Sequence, residues 1–475
     1  MTRTIILVVL ILIANNTFSQ KKLWGLSKNN GVINGTIFTT DSAGNNYSDI
    51  YTFNNVTNGV NPYGSLVQAF DGNLYGMTHE GGINNFGVIF KINPTTLIYT
   101  KVHDFDSVNG CKPYGSLVQT NNGKLYGLTH NGGNHPAVKN LGVLFSFDIA
   151  SNTYANEVNF NGQNGAHPYG SLILGKDSFL YAMCSIGGVD GTGNMFAYNY
   201  YTGNFTALYS FILGPSQAGY DPHGSLLLLD NKLFGFSRYG DVGFTNGGGV
   251  LFEYNLALPY WNAFTSRHHF DSITNFQNGY ELMGSLINGN DNFLYGMTVF
   301  GGADSAGTIF KYNLLDSSIT SLYSFNKITD GYHPHGSLLK ASNGNLYGLT
   351  SSELGQGKLF EFNLNNNTIS IKTNVTGTPY YSTLIEVDEF NVGFENSKIQ
   401  PCKVYPNPTS NFLFIENINI AESLNYRLIN MQGQILFQGN VFSKQNLDIS
   451  KLNCGIYSVV FNSKNGSFVY KLIKK

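Results

Sequence analysis

The chain has 475 residues, with 27 Lys and Arg against 29 Asp and Glu, so its net charge is -2 and only 12% of it is charged. Aromatic residues reach 14% and glycine numbers 55, so the chain can bury ample apolar surface, which excludes wholesale disorder. There is no broad basic field to pair with phosphate backbones, which argues against nucleic acid as a partner. The length exceeds one ordinary domain and leaves a large repeat fold or several domains.

Arg3, an apolar run from Ile5 to Ile13 and a polar stretch ending Thr17-Phe18-Ser19 make residues 1–19 read as a secretory signal peptide, with cleavage between Ser19 and Gln20. That run is too short to span a bilayer, and no later window supplies 18 continuous apolar residues, so no transmembrane segment is expected in the mature chain. Cys111, Cys184, Cys402 and Cys454 form no CxxC pair and lack histidines at zinc spacing, so neither a metal site nor a cofactor is expected. Export permits a Cys402–Cys454 bridge without establishing one.

Residues 20–390 are repetitive. Leu-aromatic-Gly occurs around Trp24, Tyr75, Tyr126, Phe234, Tyr295 and Tyr347, with Leu180-Tyr181-Ala182 as an altered copy, at intervals of 51 to 61 residues. Each copy is followed by a Gly three residues before a Phe, from Gly35 and Phe38 to Gly357 and Phe360. Within residues 64–106 the pattern predicts four strands: A over Ser65–Ala69, B over Leu74–Thr78, C over Val88–Ile92 and D over Ile98–Phe105. The array begins midway, at a B strand, and ends with an extra A strand at Thr383–Val387. The expected fold is therefore all-β, a seven-bladed β-propeller closed by pairing of its N- and C-terminal strands. An open β-solenoid is the alternative.

The paired glycines Gly81-Gly82, Gly132-Gly133, Gly187-Gly188 and Gly301-Gly302 partly resemble kelch blades, although the kelch tryptophan of the fourth strand is missing. Gly64-Ser65-Leu66, Asp71 to Thr78, Gly81-Gly82 and Gly87 to Phe90, in that order, are more closely similar to the GloVer tandem-repeat family of secreted bacterial proteins. That resemblance covers residues 22–390 and implies a propeller without assigning it a site.

The B–C and D–A connections are the long ones, and they collect His79, His130, His135, His167, His223, His333 and His335 on one face. The residue before the Gly that opens strand A is Tyr63, Tyr114, Tyr169, His223, Met283 or His335, and Pro precedes five of these. Equivalent positions form a circle about the axis. It rims the central channel if strand A is innermost, and an arrangement with strand C innermost fits the same sequence. The candidate ligand-binding residues are Tyr63, Tyr114, Tyr169, His223, His335, His79 and His130, and the competing reading makes them spacers between blades. No HExxH, GxSxG or P-loop spacing occurs. The functional expectation is a secreted or cell-surface binding module for an extracellular glycan or a surface protein. The alternative is a polysaccharide lyase or hydrolase using His and Tyr at the rim.

After a linker at 391–401, glycine thins out and short alternating strands are predicted at Leu413–Ile415, Tyr426–Ile429, Ile435–Gln438 and Tyr457–Phe461, a small Ig-like β-sandwich over 402–475. Tyr405-Pro406-Asn407-Pro408, the turn at Asn430–Gln434, Gly455 with Tyr457 and the terminal run from Lys471 together resemble the type A C-terminal sorting domain of the type IX secretion system. This resemblance implies passage across the outer membrane of a Gram-negative bacterium, with the type IX machinery as partner. It leaves open whether the domain is removed or anchors the protein.

Overall fold

The computed structural model describes residues 21–388, apart from 29–30, 32, 137–138, 213–217, 241–246, 272–275 and 352–354. Further along it describes 403–405, 409, 411–416, 424–429, 435–441, 445–453, 455–463 and 466–474. The proposed signal peptide with Ser19 and Gln20, the linker, Pro406, Asn407, Pro408, Cys402 and Cys454 lie outside these residues. The chain divides into two compact units, Met1–Glu389 and Phe390–Lys475.

Among the described residues the first unit contains seven four-stranded antiparallel sheets. The first joins β1 (Lys21–Lys28), β2 (Gly35–Asp41) and β3 (Ser48–Thr52) to a strand from the far end, Ile385–Asp388. That strand pairs with β1 in the register Trp24↔Ile385 and Lys22↔Val387, and Lys21 Nζ meets Glu386 Oε2 at 3.2 Å. The second sheet is β4 (Val67–Gln68), β5 (Leu74–Thr78), β6 (Val88–Ile92) and β7 (Tyr99–Asp104), ordered as in the chain.

The second sheet shows why the repeat reads as it does. Gly76 stands opposite Phe90, and a Cβ on Gly76 would meet the Phe90 ring at 2.5 Å. The strand-B glycine and the strand-C phenylalanine are thus one packing feature, and the altered copy sets Ala182 against Phe196. Tyr75 donates its hydroxyl to Asp71 in the A–B turn at 2.9 Å, as Tyr181 does to Asp177 and Tyr295 to Asp291. Gly87, at φ +97°, bends the chain into strand C in a conformation that glycine adopts at no steric cost.

Buried side chains gather between successive sheets. Tyr75, Met77 and Ile89 of the second sheet meet Leu125, Val143 and Phe145 of the third. At the last interface Tyr347, Leu349 and Leu359 of the seventh sheet meet Leu23 and Phe38 of the first. Each such side chain contributes about 1.5–3 kcal/mol, so these layers hold neighbouring sheets together without charged contacts.

The inner edge is a closed hydrogen-bonded belt. The Ser65 N–H donates to Ser116 Oγ at 2.8 Å, Ser116 to Ser171 at 2.7 Å, Ser171 to Ser225 at 2.8 Å and Ser225 to Ser285 at 2.9 Å. Ser285 continues to Ser337 at 2.8 Å, Ser337 to Thr383 at 3.1 Å, and Thr383 returns to Ser65 at 2.9 Å. The belt sets strand A innermost. It also shortens that strand from the expected Ser65–Ala69 to Val67–Gln68, because the Ser65 N–H is spent on the neighbouring sheet. Glycine precedes each belt serine because a Cβ on Gly115 would meet Gly170 O at 2.4 Å, and one on Gly170 would meet Gly224 O at 2.4 Å.

In the second unit, Lys403–Tyr405, Phe412–Glu416 and Gln445–Asp448 form one sheet. Leu424–Ile429, Ile435–Val441, Gly455–Ser463 and Gly466–Lys474 form the other. Leu413, Ile415, Leu428, Val459, Phe461 and Leu472 share one core. Three of these strands, Lys403–Tyr405, Gln445–Asp448 and Gly466–Lys474, escaped the alternation pattern.

Candidate functional site

In six of the seven D–A loops one residue is bent into the left-handed region just before the crown. Asn61, Lys112, His167, Asp221, Glu281 and His333 have φ between 50° and 58°. Each donates its N–H to the preceding sheet, Asp221 to Thr192 O at 3.0 Å and Glu281 to Gly248 O at 2.8 Å among them. This stitch, followed in five cases by proline, aims the next side chain at the axis. Tyr63, Tyr114, Tyr169, His223, Met283 and His335 are those side chains.

The structure brings all seven candidate residues into one aromatic network. Tyr63 and Tyr114 lie 5.0 Å apart between ring centres and Tyr114 and Tyr169 4.8 Å apart, while Tyr169 stacks on His223 at 4.0 Å. His79 packs against Tyr63 and Tyr114, and His130 against Tyr114 and Tyr169. His335 lies 4.2 Å from Tyr380. Tyr381 occupies the middle, 6.2–6.5 Å from Tyr63, Tyr114, Tyr169 and His335. Tyr381, the crown side chains and the belt together line a cavity of about 50 Å³, room for a few waters but not for a sugar. The circle is therefore a plugged crown rather than the rim of an open channel.

Tyr380 and Tyr381 were missed by the sequence reading because Ser382-Thr383-Leu384 replaces Gly-Ser-Leu in the seventh copy; the serine and leucine spacing was the available signal. The left-handed ring was missed as well. Its signal is the residue before Pro-Tyr-Gly or Pro-His-Gly.

His79, His130 and His335 are uncharged at neutral pH. Burial lowers His79 and His130 to about 4, with Glu80 and Asn131 respectively opposing it, and lowers His335 to about 3. Burial pushes Tyr114 up to about 12 and raises Tyr63 and Tyr381 further. Cations also reach this region: Lys28 Nζ lies 4.1 Å over the Tyr380 ring, and Arg238 donates to Glu281 Oε1 from Nη2 at 2.9 Å. His223 Nε2 sits 3.0 Å from Asp221 Oδ1, and its Nδ1 3.4 Å from the Tyr381 hydroxyl. Among the described residues no three His, Cys, Asp or Glu side chains gather as metal ligands.

Of the sorting-motif residues, Tyr405 ends a strand opposite Phe414, Tyr457 is buried and donates its hydroxyl to Asn453 O at 2.9 Å, and Gly455 and Lys471 lie on the paired last two strands. No helix among the described residues is long and apolar enough to cross a membrane.

Similar structures include candidate 6-phosphogluconolactonases from Bacteroides fragilis (14% identity, TM-score 0.51, 78% of this chain and 99% of that one) and Bacteroides uniformis (12%, 0.53, 78% and 100%). A protein from Lactobacillus plantarum is comparable, at 14% identity, TM-score 0.51, and 78% and 99% coverage. At such identities the likeness shows a propeller-like all-β fold and nothing of activity. No curated protein is significantly similar in sequence. Residues 403–475 match the secretion system C-terminal sorting domain, which marks the protein for type IX export, to release or cell-surface attachment in Bacteroidetes-type bacteria. The Gloeobacter/Verrucomicrobia repeat matches residues 13–173, 136–279 and 259–398, most of the chain, and the protein belongs to that family.

Proposed function

We propose that the protein is a secreted or cell-surface binding module whose seven sheets are the blades of a closed propeller and whose crown takes an extracellular glycan. The C-terminal unit, with two sheets over one core, reads as an Ig-like sandwich that serves export. The observation that carries the functional reading is the crown itself: half-buried tyrosines and neutral imidazoles gathered at the mouth of a rigid ring. Tyrosine combines an apolar face that stacks on sugar C–H groups with a hydroxyl that stays wet. Imidazoles held near 4 are poor general bases at neutral pH, which favours binding over catalysis.

Asp221, His223 and the Tyr381 hydroxyl form a chain of contacts that supports a second reading, proton transfer in a polysaccharide lyase or hydrolase. The discriminating experiment is a glycan array with the mature protein, followed by depolymerisation assays on whatever binds. Retention without cleavage, lost in Tyr114→Ala at unchanged melting temperature, is the expected result. Cleavage abolished by His223→Ala would replace binding with catalysis. Lost stability with no ligand bound would reduce these residues to spacers.

A further inference from the structure

The left-handed ring carries information that its backbone does not require. Asn61, Lys112, His167, Asp221, Glu281 and His333 share one conformation and donate their N–H groups to the preceding sheet in the same way. Glycine, or failing that asparagine, meets such a conformation most cheaply, whereas a longer L side chain costs about 1–2 kcal/mol. Strain retained at equivalent positions points to the side chains as what is being kept. Main-chain stitching is alike at all six, so it does not select lysine at one and glutamate at another.

Two of these residues converge with others on one side of the mouth. Arg238 donates to Glu281 Oε1 from Nε at 3.2 Å and Nη2 at 2.9 Å, and its Nη1 lies 3.8 Å from Asp221 Oδ2. Asp221 Oδ1 meets His223, and the Arg238 guanidinium covers the Tyr239 ring at 4.9 Å, with Tyr220 5.2 Å from Tyr239. The Asp221, Arg238 and Glu281 side chains are 22%, 27% and 21% exposed, so all three reach solvent. Asp221 Oδ2, beyond hydrogen-bond distance of Arg238 Nη1 at 3.8 Å, and Glu281 Oε2, the oxygen that Arg238 does not bond, are placed to accept from a ligand. Two carboxylates against one guanidinium leave the cluster net negative. Lys112 belongs to an earlier repeat, outside the cluster.

We propose that Asp221, Glu281 and Arg238, beside the Tyr220–Tyr239 pair, form the selective subsite of the mouth. Its ligand is a neutral hexose, recognised through hydroxyls that donate to Asp221 Oδ2 and Glu281 Oε2, or an amino sugar whose ammonium takes one of them. A uronate is excluded, because its carboxylate would face two others. This inference rests on the glycan reading above and names the class of sugar.

The test is titration of the mature protein with neutral, glucosamine-containing and uronate-containing oligosaccharides. Neutral and amino sugars are expected to bind and uronates not to. Asp221→Asn and Glu281→Gln, near-isosteric changes, are each expected to weaken binding about tenfold or more at an unchanged melting temperature. Lys112→Ala is expected to leave affinity as it was. Uronate binding that is lost in Lys112→Ala would overturn the assignment. Sugar binding that survives Asp221→Asn and Glu281→Gln but fails in Tyr114→Ala would overturn the subsite and leave the glycan reading standing. Binding to none of the three classes would remove that reading and the subsite with it.

Discussion

The belt and the crown lie one residue apart in the chain and obey opposite rules. The belt uses Gly-Ser in six copies, where a neighbouring carbonyl leaves no room for a Cβ, and Ser-Thr in the seventh, and in all seven the hydroxyl accepts an N–H from the preceding sheet. The crown position is Tyr, Tyr, Tyr, His, Met, His and Tyr, and the left-handed ring two residues before the crown varies in charge as well. Where the main chain of one sheet touches the next, chemistry is uniform. Where side chains project into the mouth, it diversifies. The contrast teaches that the repeat is a frame for presenting different groups at equivalent points.

The largest effect that would test this contrast is a belt substitution. Gly170→Ala places a methyl 2.4 Å from Gly224 O, and a loss of about 1–3 kcal/mol in chemical denaturation is expected. If Gly170→Ala unfolds like the parent, the belt is not the constraint it looks to be.

A smaller effect is expected from acid. His79, His130 and His335 have folded pKa values below the ordinary imidazole value of about 6.5. Between about pH 4 and 6.5 the unfolded chain therefore binds more protons, and stability falls as pH drops through that window. Thermal melts at pH 7.5 and pH 4.5 should show a lower midpoint at the acid value, partly flattened in His79→Phe. An unchanged difference in that variant would place the acid sensitivity outside the crown.

The smallest effect expected is a gain. Lys112→Asn keeps the stitch and relieves a left-handed lysine, so a rise of under about 1 kcal/mol is expected in the same denaturation assay. A loss would mean that Lys112 contributes to the fold, and that the left-handed ring is not free to vary.

Leu-Tyr-Gly and Gly-x-x-Phe were legible as a repeat because they are local: a strand-B glycine and a strand-C phenylalanine come from one hairpin and recur with it. Closure was legible too, since an A strand left over at one end and missing at the other has a partner waiting. Tyr381 was not legible as the centre of the crown, because its copy had lost the glycine that marks the others.

What the chain alone determined was the unit, with its strand order, tight A–B turns and paired faces set by patterns within about 50 residues, and the sorting motif of the last segment. What only the tertiary structure decided was the meeting of residues from different repeats. Glu281 comes from a different repeat than Asp221 and Arg238, as Tyr114 does from His79, and the distances between them depend on the angle between sheets set by inter-sheet packing and the seven belt hydrogen bonds. No pattern within one repeat encodes that angle, because it is fixed only when the ring closes.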